Sequence, residues 1–354
     1  MLIKVSDPAF QTLLFSLIFV ALLVISISKR KDDNFFSKDV TNQIKGVAIL
    51  AVIFSHIAYF ASSDTKFLYP YSILAGVAVN IFLFLSGFGL TLSQLKSPLS
   101  PFSFYKKRVL RLFIPLWVVI GSLLLLDYII LGRSYPFSEV INAFLGFYPR
   151  ADVYQNLDSP LWYFSFILFY YLVFPLTFIK RLPLLSPILI LVASLLALKF
   201  IHLQINPDVI KLYKLHTLAF PLGMFLGLLI QRFKFKLNLA LNSLVLIAAL
   251  AIFTYTAIHS GIGEDPKIEQ TFSLITTLSL IIIFALSKFN FRLLSLFGIY
   301  SYEIYLFHWP ILSRYNLFLG LPPFLDVIFN LSLFILLGYL LQKMVGKITG
   351  VLHR

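Results

Sequence analysis

Long apolar runs joined by short polar, basic connections set the pattern of this chain. A helix that crosses a bilayer needs roughly 20 mostly apolar residues. Eleven stretches approach that length: 10–28, 43–62, 72–95, 109–132, 160–179, 182–201, 210–231, 238–258, 270–287, 294–317 and 323–345. The runs are too long for barrel strands, and the period-two alternation of a transmembrane barrel is absent. The pattern predicts an all-α polytopic membrane protein, a bundle of about 10–11 transmembrane helices. Lys29, Arg30 and Lys31 follow the first run directly, so it is expected to remain as a helix and not to be removed as a leader. No internal repeat and no low-complexity tract interrupts the series. The longest connection, 133–159, contains SYPF, FYPR and NLDSP and reads equally well as a cover over a site or as a plain connector.

Composition strengthens this reading. Of 354 residues 59% are hydrophobic and 12% charged, more apolar surface than a soluble fold of that length can hide. There is no cysteine, which excludes disulfides, thiolate metal sites and cysteine nucleophiles. The net charge of +14 does not point to nucleic acid, because the basic residues sit in short loops between apolar runs, where they set orientation and attract anionic lipid. With the N-terminus outside, about 20 of the 29 Lys and Arg fall on the cytoplasmic side. Their clusters are Lys29–Lys31, Lys106–Arg111, Lys180–Arg181, Arg232–Lys236, Lys288–Arg292 and Lys343–Lys347. Eleven spans then leave the C-terminus inside. The expected location is an integral plasma (bacterial inner) membrane, multi-pass.

Ionisable groups inside an apolar run are expensive, so each is a candidate for chemistry. Lys45 and His56 share the second run, IKGVAILAVIFSHI, eleven residues and roughly 16 Å apart along a helix. Lys45 reads as a snorkelling anchor or as part of a substrate path. His56 reads as a packing residue or a working one. The tenth run holds SYEIYLFH, in which Ser301, Tyr305 and His308 recur at helical spacing. A neutral imidazole is a general base near pH 7, and a Tyr, or Glu303 off the stripe in the same run, can orient it. The alternative is hydrogen-bond glue between helices; two deep histidines on separate runs favour function. Ser86 and Gly87 in FLFLSGF permit close helix approach or a local break. Arg108 and Arg111, three apart at the start of the fourth run, suit a forked phosphate clamp or positive-inside anchoring. Trp162 and Tyr163 fit an interfacial belt. His216 lies beside a Pro- and Gly-containing stretch, FPLGMFLG; His202, His259 and His353 sit near run ends or in loops. No carboxylate cluster, HExxH or phosphate-binding Gly loop is present, so no metal site is expected.

Taken in order, these motifs resemble the acyltransferase-3 family of integral membrane O-acyltransferases. The family's Arg, ten residues, then His reads here as Lys45-x10-His56. Its SGF stretch matches FLFLSGF (82–88), and its basic FYxxRxxR stretch matches FYKKRVLRLFIP (104–115). LWYFSFILFYYLVFP (161–175), FPLGMFLG (220–227) and SYEIYLFH (301–308) match the later motifs. Lys45 stands where the family has Arg and lacks its planar fork, and Asn42 stands where many members carry Asp. The run 10–28 is additional to the family's usual ten. The resemblance therefore divides the chain into an additional N-terminal transmembrane helix and basic linker, 1–41, and an acyltransferase-3-like transmembrane core, 42–354. It implies an acyltransferase, commonly moving acetyl from cytoplasmic acetyl-CoA to a hydroxyl of a cell-envelope saccharide or glycolipid. Acyl-CoA would be a co-substrate, with no cofactor bound permanently. By position, His56, His308 and Tyr305 would be catalytic, and Lys45, Arg108, Arg111 and Ser86 would hold the donor. A polytopic transporter or flippase for a lipid or sugar is the rival reading; a non-catalytic scaffold explains the histidines poorly.

Overall fold

A computed structural model describes residues 2–30, 35–151, 157, 161–200, 205–233, 238–260 and 266–352. His202, His353, Lys31, Lys234, Lys236, Gly263, Glu264, Asp265 and all of NLDSP except Leu157 lie outside the described residues.

The regular structure is nearly all helix. In chain order it comprises α1 (Pro8–Ile25), β1 (Ile27–Lys29), α2 (Lys38–His56), α3 (Ala75–Lys96), α4 (Pro101–Leu131), α5 (Phe137–Phe144) and α6 (Trp162–Thr177). There follow α7 (Leu185–Phe200), α8 (Pro207–His216), α9 (Ala219–Arg232), α10 (Leu239–Ile258), α11 (Pro266–Leu286), β2 (Phe289–Phe291), α12 (Arg292–Ile299), α13 (Ser301–Arg314) and α14 (Pro323–Leu352). Among the described residues eight helical segments are long and apolar enough to cross a membrane. The fifth and sixth runs form shorter apolar helices, α6 and α7. The tenth run differs from expectation: it is not one span but two helices, α12 and α13, separated at Tyr300 (φ −100, ψ 12). The chain is an all-α polytopic membrane protein.

Local chemistry explains the helix starts. Asp7 caps α1 by accepting from the Phe10 N–H at 3.0 Å, with Pro8 opening the helix. Ser37 caps α2 through the Val40 N–H at 3.2 Å. Ser100 and Pro101 do the same for α4, which closes on Gly132 in a left-handed turn at φ 62.

The contacts divide the chain into two compact units. The first comprises Met1–Phe82 and Lys236–Leu340; the second comprises Leu83–Phe235 and Leu341–Arg354. In the first unit α2 runs through the interior, with 67% of its apolar window buried, whereas only 17% of α1 is covered. The apolar Leu13, Leu17, Val20 and Val24 of α1 are exposed, as lipid-facing positions should be. Phe15 and Phe19 hold α1 to the unit by packing on Phe54 and Tyr71.

A short antiparallel pairing of β1 with β2 ties the segment after α1 to the segment after α11. The Arg30 guanidinium reinforces it by donating to the carbonyls of Phe284, Ala285 and Ser287 at 3.3, 2.9 and 3.0 Å, which closes the end of α11. Lys29, Arg30, Lys288 and Arg292 therefore share one face of the first unit. The other end of α1 is fixed near Ser62 and Ser63 by backbone bonds to Ile3. In the second unit α4 packs on α5 and α6, and α7 packs on α6, α8 and α9.

Candidate active site

In the first unit the site begins with a helix crossing. A Cβ on Gly46 would stand 1.9 Å from the Leu294 carbonyl oxygen, and one on Gly298 would stand 1.8 Å from that of Asn42. Only glycine permits this approach. The two contacts are reciprocal: residue number falls along α2 as it rises along α12, so the helices run antiparallel here. At Tyr300 the helix breaks. The Ser301 hydroxyl donates to the Gly298 carbonyl at 3.0 Å and satisfies an acceptor that the end of α12 leaves open. Beyond the break, α13 carries His308 to His56, near the opposite end of α2.

The two imidazoles are hydrogen-bonded. His56 Nδ1 and His308 Nε2 lie 2.9 Å apart. The ring planes are within 8° of parallel and the centroids are 5.0 Å apart. Flat rings stacked face to face keep about 3.5 Å between atoms, so a 2.9 Å contact between parallel rings means that they meet edge to edge, nearly in one plane. His308 Nδ1 lies 3.0 Å from the Ile304 carbonyl oxygen and 3.0 Å from that of Tyr305. His308 is 0% exposed, whereas His56 is only half-buried, at the end of α2 where a π turn, Ile57–Ala61, begins. Such turns recur at functional sites. The Phe60 and Trp309 rings stand edge-on to His56, at 6.1 and 5.4 Å.

The structure thus joins His56, His308 and Tyr305, although the contact between Tyr305 and His308 Nδ1 uses the Tyr305 backbone carbonyl. Ser301 belongs to the helix break and not to the histidine pair. Lys45 is half-buried two turns into α2. Trp309 was not foreseen; its only signal is its place beside His308 in the sequence.

The second unit has a crossing of the same kind. A Cβ on Gly87 of α3 would meet the Phe220 carbonyl at 2.2 Å, and one on Gly223 of α9 would meet that of Phe84 at 2.0 Å. FLFLSGF and FPLGMFLG are thus two halves of one close contact, as the glycine reading of the third run expected. Next to Gly87, Ser86 accepts a long hydrogen bond, 3.5 Å, from the Tyr171 hydroxyl of α6. The Arg108 guanidinium lies over the Tyr171 ring at 5.5 Å and over the Phe104 ring at 5.6 Å. Arg111 is exposed on the same helix. Ser86 and Arg108 are therefore gathered around Tyr171, a residue that sequence reasoning passed over within LWYFSFILFYYLVFP. Trp162 lies against His216, with the rings 6.1 Å apart and 18° from parallel. Among the described residues no group of three or more His, Cys, Asp or Glu is placed to hold a metal ion.

Residues 41–343, nearly the whole chain, match the family model of the acyltransferase domain, acyltransferase-3. The chain belongs to this family. No curated protein and no solved structure gives a significant match. All the residues just described, from Lys45 to Trp309, fall within the matched part of this membrane acyltransferase; α1 falls outside it.

Proposed function

We propose that this acyltransferase moves an acetyl group from acetyl-CoA to a hydroxyl of a cell-envelope saccharide or glycolipid, within a plasma (bacterial inner) membrane. The observation that carries the reading is the hydrogen-bonded histidine pair on two helices of a membrane protein. Burying two imidazoles is costly in an apolar solvent, and acyl transfer to a hydroxyl requires a group that removes a proton near neutral pH.

In this reading the histidine pair takes the proton from the acceptor hydroxyl as its oxygen attacks the thioester carbonyl. The tetrahedral intermediate collapses, the C–S bond breaks, and the proton passes to the leaving thiolate. The products are the acyl ester and free CoA. Arg108 and Arg111 attract the phosphates of the donor, with Arg108 held between two aromatic faces that keep its guanidinium oriented. Lys45 and Ser86 are further donor-binding residues in this proposal. With the N-terminus outside, His56 stands towards the outer end of α2, on the acceptor's side, and Lys45 lies nearer the cytoplasm.

The test is transfer from radiolabelled acetyl-CoA by the purified protein in lipid, with envelope extract as acceptor, beside His56→Ala. Label moving to a saccharide fraction with the wild type and not with the folded variant is the expected result. Equal transfer by both proteins removes the histidine pair from the mechanism.

A further inference from the structure

The hydrogen bonds around the histidine pair fix an order of protons, and that order separates the roles of the two residues. A carbonyl oxygen only accepts. His308 Nδ1 faces two of them, Ile304 and Tyr305, each at 3.0 Å, so it must carry a hydrogen. A neutral His308 then has a lone pair on Nε2. The atom 2.9 Å from that lone pair, His56 Nδ1, must be the donor. A neutral His56 protonated on Nδ1 has its own lone pair on Nε2. That atom has no hydrogen-bond partner among the described residues and is not among their buried, unsatisfied polar atoms. Exposure agrees with the order, because His308 is wholly covered and His56 is not.

We infer that His56 acts as the base through Nε2, and that His308 is a positioning residue which holds His56 in the tautomer that leaves Nε2 free. This rests on the acyl-transfer reading above and makes it specific. The arrangement has the logic of an acid–base–nucleophile triad, in which a buried acceptor on one imidazole nitrogen leaves the other nitrogen free to work. Here a second imidazole takes the place usually filled by a carboxylate, and two backbone carbonyls of α13 orient it in turn. When His56 Nε2 takes the acceptor's proton, the resulting imidazolium donates from Nδ1 to His308 Nε2. That bond becomes charge-assisted and shorter. No charge enters the site before the reaction, which suits a pair buried among Phe60, Trp309 and Phe334. Tyr305 contributes its carbonyl oxygen to this order, and its ring lies 6.3 Å from that of His308.

The decisive measurement is the protonation of the imidazole nitrogens by nitrogen-15 solid-state NMR on the full protein in lipid, with all histidines labelled. Signals are assigned by comparison with His56→Gln and His308→Gln. Both residues are expected to be protonated on Nδ1, the less common tautomer of a free imidazole. A His56 protonated on Nε2 overturns the inference whatever the activity. Kinetics give a second readout. His308→Leu removes the acceptor and should lower kcat at least a hundredfold, with the KM for acetyl-CoA unchanged and His56 shifted to the Nε2-protonated form. His308→Gln can present an amide oxygen at the same place and should recover kcat to within about tenfold of wild type. Equal loss in the two variants, with His56 still protonated on Nδ1 in both, overturns the positioning role. Absence of CoA-dependent transfer by a wild type with the expected tautomers refutes the acyl-transfer reading while leaving the proton order standing.

Discussion

In the proposed function the histidine pair of the first unit and the arginine cluster of the second solve different physical problems. Each unit has a crossing so tight that only glycine allows it, Gly46 with Gly298 in one and Gly87 with Gly223 in the other. Beyond that they diverge. The histidines have short, directional hydrogen bonds that end on backbone carbonyls. Arg108 is bordered by ring faces at 5.5 and 5.6 Å, and the hydrogen bond that Ser86 accepts from Tyr171 is long, 3.5 Å. Moving a proton needs one nitrogen in one tautomer at one position, so the geometry has to be rigid. Attracting a phosphate needs charge, which acts over a longer range and tolerates imprecision. The lesson is that the better-ordered cluster is the one suited to bond-making.

That contrast can be broken by mutation. The largest effect is expected from His56→Ala, which should lower kcat by about a thousandfold or more, the contribution of a positioned general base; a loss below tenfold would equate the two clusters. Gly298→Val places a side chain against the Asn42 backbone and should destabilise the fold by about 3 kcal/mol through overpacking, read as reduced thermal stability of the purified protein in detergent. Arg108→Ala should raise the KM for acetyl-CoA by roughly tenfold to a hundredfold, the worth of a charged hydrogen bond, with kcat little altered. Arg108→Lys should recover only part of that, since an ammonium keeps the charge and loses the planar fork. Arg111→Ala should change the same KM about threefold, because an exposed charge is well screened. Smallest is Tyr171→Phe: it removes one long hydrogen bond and keeps the ring under Arg108, so under twofold in either constant is expected, within a fraction of the ~1 kcal/mol of a good hydrogen bond.

Much of the fold could be read from the sequence, because hydrophobic runs long enough to span a bilayer record their solvent directly. All eleven runs fall on helices. The break at Tyr300 could not be read: IYSYEIY has no proline, and the interruption follows from α12 lying against α2 before α13 starts. His56 and His308 could each be singled out, because a buried imidazole is conspicuous in an apolar run. Their meeting could not, since 252 residues separate them and spacing says nothing about contact at that distance. The SYxxYxxH pattern grouped Ser301, Tyr305 and His308 by periodicity, yet Ser301 completes a helix end. Tyr305 meets His308 through its ring and also through its carbonyl oxygen, an atom that every residue has. Backbone roles leave no mark on side-chain identity, which is why the proton order needed a structure.

The pairing of β1 with β2 has a consequence for how the protein is made. Ser28 and Asn290 are 262 residues apart, and the hydrogen bond between them cannot form until the ribosome has passed the ninth run. The first unit is assembled from both ends of the chain, while the stretch Leu83–Phe235 of the second is synthesised without interruption between them. Helix α1 therefore enters the membrane early and waits with its mostly apolar surface in lipid, and Arg30 stays without the α11 carbonyls it will bind. Closing so large a loop is slow, so the first unit, with its histidine pair, cannot close until most of the chain has been made. A chain halted before residue 289 would hold the whole stretch Leu83–Phe235 and no histidine pair.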